Sequence, residues 1–88
     1  MEIKKLYKLV CKNVLNKDYI KHDVNSAILA LHESATKIWQ AKENNDNKKI
    51  NLRVASALIS IFYIMNELKI DDPEKILLEK IEHLKKEL

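Results

Sequence analysis

No residue of this chain is glycine, and proline occurs once, at Pro73. Tight β-hairpins need positive φ at their turn residues, which glycine adopts freely and most other residues resist. A β-rich chain of this length would need several such turns, whereas helices need none in their interiors. Lys, Glu, Leu, Ile and Ala dominate the rest of the sequence, so the expectation is an all-α fold. Its 88 residues suit a single domain, 1–88. A core that small is often completed by self-association.

The most apolar stretch runs from Arg53 to Glu67, with no charge between its ends. A membrane-spanning helix needs about 20 apolar residues, so a protein core is expected here and no membrane association. Because this helix is apolar on more than one side, more than one neighbour must cover it, within the chain or from a second copy. Phe62 and Tyr63 are expected in the core.

Around it the chain divides into helices. From Glu2 to about Leu15, Ile3, Leu6, Tyr7, Val10 and Val14 recur at three- and four-residue steps, one face of a helix. Asn16–Asp18 interrupts that pattern and Tyr19–His22 reads as a connector. Asp23 is a fair N-cap for a second helix to about Glu43, with a stripe of Val24, Ala27, Ile28, Leu31, Ala35 and Ile38. The short polar run Asn44–Asn47 reads as a loop, and a third helix is expected from near Lys48–Asn51 to about Lys69. Asp72 before Pro73 is a strong start for a fourth helix, because proline lacks the amide that would be left unpaired in the first turn. Its stripe is Leu77, Ile81, Leu84 and Leu88. Four helices with short connections predict an antiparallel four-helix bundle.

The formal net charge is +3, spread so that residues 1–23 and 48–69 are basic and residues 70–88 acidic. No block of like charge reaches the length of a nucleic-acid tail, so nucleic-acid binding is not indicated. Cys11 is the single cysteine, which excludes an intrachain disulfide or a Cys-x-x-Cys pair. The N-terminal stretch lacks the apolar core of a secretion signal, and a cytoplasmic location is expected.

Without glycine there is no phosphate-cradling P-loop and no dinucleotide fingerprint. His32-Glu33 opens like a zinc-protease motif, but Thr36 stands where the second histidine belongs. His22 and His83 have no second histidine or cysteine at helical spacing to make a metal pair. What remains is the pair Glu33-Ser34-Ala35-Thr36-Lys37-Ile38 and Arg53-Val54-Ala55-Ser56, followed by Leu68-Lys69-Ile70-Asp71 and Glu79-Lys80-Ile81. From Leu31 onward this resembles the MazG-like family of all-α nucleoside triphosphate pyrophosphohydrolases. The family places Glu-Glu-x-x-Glu on one helix and Glu-x-x-Asp at the start of the next, carboxylates that together hold Mg²⁺ against a triphosphate.

In the register fixed by Ile38 and Ala41, Glu33 keeps the first carboxylate, while Ser34 and Lys37 replace the others. Arg53 and Ser56 stand for the second pair, and Lys69 for a usual glycine. An alternative register sets His32, Glu33 and Thr36 at the motif but puts Lys37 on an apolar position. Either way the Mg²⁺ cage is degenerate, so no metal and no cofactor is expected. The resemblance implies a homo-oligomer, and a nucleotide or protein partner bound without catalysis. The alternative is an active pyrophosphohydrolase with an altered Mg²⁺ site.

The ligand-binding candidates are Glu33, Lys37, Arg53, Ser56 and Lys80. Lys37 and Arg53 suit two roles: fixed cations gripping a phosphate in place of metal, or residues of a decayed site that are either solvated or paired with Glu33 in a structural salt bridge. Trp39 could stack on a base or pack at an interface. Ser56 and Ser60, one turn apart, also suit close helix packing.

Overall fold

The computed structural model describes residues 2–87, and every regular element in them is helical. Helix α1 covers Ile3–Val10 and continues into a π-helical turn over Cys11–Leu15; α2 is Val24–Glu43, α3 Asn47–Glu67 and α4 Pro73–Glu87. Four helices are therefore present. Leu88, expected at the end of the last stripe, lies outside the described residues.

The boundaries follow from local chemistry. The Asp23 carboxylate accepts from the Asn25 amide at 3.3 Å and from Ser26 Oγ at 3.3 Å, which starts α2. Asp46 accepts from the Lys49 amide at 3.1 Å, so α3 begins at Asn47, a residue the polar run had assigned to the loop. Asp72 accepts from the Lys75 amide at 3.1 Å and buried Pro73 opens α4. Each cap satisfies an amide that has no partner inside its own helix.

Helices α2 and α3 end alike. Beyond Glu43, Asn45 turns left-handed at φ 54°, the Asp46 amide reaches Ala41 O at 3.1 Å and the Asn45 amide reaches Lys42 O at 3.0 Å. Beyond Glu67, Lys69 takes φ 59°, the Ile70 amide bonds Met65 O at 2.8 Å and the Lys69 amide bonds Asn66 O at 3.3 Å. Both are Schellman closures, which favour glycine at the left-handed position. Here Asn and Lys fill it.

The three-residue turn between α2 and α3 folds them back along one another, and this is the closest helix pair in the chain. Their seam is lined by Ala27, Ser34 and Ala41, all buried, at seven-residue steps. Across from them on α3, Ser60 Oγ lies 3.3 Å from Ser34 Oγ and donates to Ser56 O at 3.0 Å. The sequence stripe is thus rotated. Ala35 and Ile28 are exposed, Trp39 is 61% exposed, and Ser34 and Ala41 take the interior instead. Small side chains let two backbones approach, and that closeness outweighs the polarity of a serine whose hydroxyl is bonded across the seam.

The main apolar cluster sits at one end of this hairpin. Tyr7, Val10 and Leu15 pack there with Ala27, Phe62, Tyr63 and Met65, the Tyr7 and Phe62 rings 5.3 Å apart and tilted by 51°. The π-turn inserts an extra residue into the face, so Leu15 enters the core and Val14 is only half-buried. Phe62 and Tyr63 are buried as expected, and the Tyr63 hydroxyl donates to Lys21 O, fixing the connector. Helix α4 approaches the backbone of α1. Pro73 is its single buried residue among those described, and Ile76, Leu77, Leu78, Ile81 and Leu84 remain largely exposed.

Candidate phosphate-binding site

The core leaves the other end of the hairpin as two helices alone, and a polar pocket lies between them. On α2, Lys37, Gln40, Ala41 and Asn44 recur at three- and four-residue steps, so they share a face. On α3, Lys49 and Arg53 are one turn apart and complete the lining. The Schellman closure at Asn45 and the cap at Asp46 fix the angle at which the two faces meet.

The cavity measures about 100 Å³. At about 30 Å³ per water, that is the scale of one phosphoryl group rather than of a whole nucleotide. Three cations and two side-chain amides line it without a carboxylate. Among the described residues no ion pair involves Lys37, Lys49 or Arg53. The structural pairing of Lys37 or Arg53 with Glu33 is therefore not formed. Like charges gathered in one concavity repel one another unless an anion joins them, and the forked guanidinium of half-buried Arg53 is suited to holding one. The α3 amides contribute little, since Asp46 already occupies the Lys49 N–H.

The structure thus brings two of the five sequence candidates together. Glu33 is exposed on α2 and does not line the pocket. Ser56 is exposed, its hydroxyl donating to Leu52 O at 3.1 Å within its own helix. Lys80 is exposed on α4, which makes no close backbone approach to α2. Trp39, also outside the pocket, stacks on nothing in it. Lys49, Gln40 and Asn44 were not singled out by sequence; the signal for Lys49 was its position one turn before Arg53.

The residues present do not fit a Mg²⁺ ion. Hard divalent cations want several oxygen ligands, and this pocket offers amide oxygens beside three positive charges. Ser34, where the family resemblance has its second carboxylate, is turned into the α2–α3 seam. Among the described residues no three His, Cys, Asp or Glu side chains converge as metal ligands would. Comparison of the chain with protein-family models, curated proteins and solved structures finds no match.

Proposed function

We propose that this chain is a MazG-like module that binds the phosphate groups of a nucleotide without hydrolysing them, and that it works as a homo-oligomer. One observation carries the binding: Lys37 and Arg53, on different helices and far apart in sequence, line the same phosphate-sized pocket with Lys49. The family resemblance supplies the ligand class, and Lys69 adds support from another direction. It replaces the family's usual glycine at a backbone position that is left-handed here.

Self-association is supported by unpartnered apolar surface. Leu58 and Ile61 of α3 and Ile76, Leu77, Ile81 and Leu84 of α4 are each at least 41% exposed. Covering such faces contributes roughly 25 cal/mol per Å² removed from water, and a second copy would complete the four-helix bundle that α4 leaves open. Among the described residues no helix is long and apolar enough to cross a membrane.

Titrating nucleoside triphosphates under NMR tests the reading. Shifts at Lys37, Lys49 and Arg53 that vanish in the Lys37→Ala, Arg53→Ala variant are expected, and no shift at millimolar nucleotide would sink it. Incubation with Mg²⁺ or Mn²⁺ separates the active alternative. Pyrophosphate release that disappears in Glu33→Ala would show a working hydrolase. Light scattering across a dilution series should show mass rising with concentration.

A further inference from the structure

A second cavity lies at the opposite end of the hairpin from the cation pocket. It is an open cleft of about 400 Å³ between the first helix, the connector and the end of α3, lined by Lys8, Cys11, Lys12, Leu15, Asn16, His22 and Asn66. Small-molecule sites begin at about 300 Å³. Its wall is the π-helical turn Cys11–Leu15, a conformation that recurs at functional sites because it re-aims side chains at the expense of regular hydrogen bonding.

The polar groups of the cleft are held in place from behind. His22 Nδ1 donates to Glu67 Oε2 at 3.1 Å, and the Glu67 side chain is only 11% exposed. Asn66 Nδ2 donates to the same carboxylate oxygen at 3.3 Å, while Asn66 Oδ1 accepts from Cys11 Sγ at 3.8 Å. Thiol, amide, carboxylate and imidazole thus form one chain, leaving the histidine's Nε2 with no partner among the described residues. Lys8 and Lys12, one turn apart, bring two cations that have no ion-pair partner there either. Below them Leu15 is 3% exposed and supplies an apolar floor.

A fixed apolar floor beneath unneutralised cations is complementary to a molecule with an apolar body and an anionic end. We propose that this cleft binds a small amphipathic carboxylate, its chain against Leu15 and Cys11 and its head between Lys8 and Lys12, with His22 flanking it. The site is independent of the Lys37–Arg53 pocket.

Because Cys11 is the only cysteine, its alkylation by iodoacetamide reports on this cleft alone. Hexanoate at twice its dissociation constant should slow alkylation about threefold, since protection scales as 1 + [L]/Kd. Acetate has the head without the body and hexanol the body without the head; neither should protect. Lys8→Gln, Lys12→Gln, with an unchanged circular dichroism spectrum, should lose the hexanoate effect. NMR shifts at His22 and Asn66 give a second reading independent of thiol reactivity. Absence of both protection and shifts at millimolar hexanoate overturns the proposal. So does equal protection by hexanol, or full protection in the double variant.

Discussion

Replacing Ser60 by alanine should destabilise the chain more than replacing Ser34, and replacing both should cost least. The order follows from where the hydrogens go. Ser60 Oγ donates to Ser56 O at 3.0 Å, so its proton is committed, and the 3.3 Å contact across the seam must be donated by Ser34. Both residues are buried, at 8% and 7% exposure. Ser34→Ala removes one neutral hydrogen bond, a loss of about 0.5–1.5 kcal/mol. Ser60→Ala removes that bond and strands the Ser34 hydroxyl, adding about 1–3 kcal/mol for a buried group without a partner. Among the described residues the native chain has no such group. The double variant exchanges two satisfied hydroxyls for two hydrogens in an otherwise small, apolar seam and should lie within about 0.5 kcal/mol of the parent, because removing both partners together leaves nothing unpaired. Urea unfolding at one fixed protein concentration measures all three, with an unchanged m-value as the check that the unfolded state is the same. The coupling energy from the cycle, the two single losses less the near-zero double, should be roughly 2–6 kcal/mol in favour of the double variant. Additive losses, with Ser60→Ala no worse than Ser34→Ala, would refute the seam geometry.

Burial, foremost, together with charge and hydrogen bonding at Cys11, pushes the Tyr7 phenol up from 10.0 to about 12. Between those values the unfolded chain has released the proton and the folded chain still holds it, so stability should fall as pH rises through that window. Tyr63 shifts in the same direction, chiefly by burial. Comparing the parent with Tyr7→Phe in thermal melts isolates the Tyr7 share, and parallel losses in the two would contradict it. Lys69→Gly should be stabilising: a left-handed non-glycine residue costs roughly 1–2 kcal/mol, against about 0.4–1 kcal/mol for the added freedom of glycine in the unfolded chain. A higher urea midpoint for Lys69→Gly, and a lower one for Lys69→Val, checks it.

What could be read in advance was mostly what is decided locally. Asp23 and the Asp72-Pro73 pair marked helix starts because capping involves residues two or three apart, and Phe62 and Tyr63 were legible because aromatic residues in an uncharged run have nowhere else to go. The seam was harder. Ser34 looks polar in the sequence, and only the partner helix supplies the Ser60 hydroxyl that permits its burial. The π-turn was illegible for a related reason: one extra residue changes the phase of a helix face without changing which residues are apolar. At the candidate sites, Lys37 and Arg53 were found through the family pattern. Lys49 meets them only because the hairpin closes in three residues, and the bond from His22 to Glu67 depends on contacts 45 residues apart.

The way α2 and α3 meet also determines what the rest of the molecule must do with its larger side chains. A helix pair that joins through alanine and serine buries little apolar area in its own joint. Ile28, Leu29 and Trp39 of α2 and Leu52, Val54 and Leu58 of α3 consequently point away from it, each at least 42% exposed. The hairpin behaves as a thin plank whose two broad sides, not its joint, carry most of the adhesive surface. Bulkier residues in the seam would spread the helices, open the cation pocket and turn adhesive surface inward. Close packing inside the pair and stickiness outside it therefore arise from the same small residues.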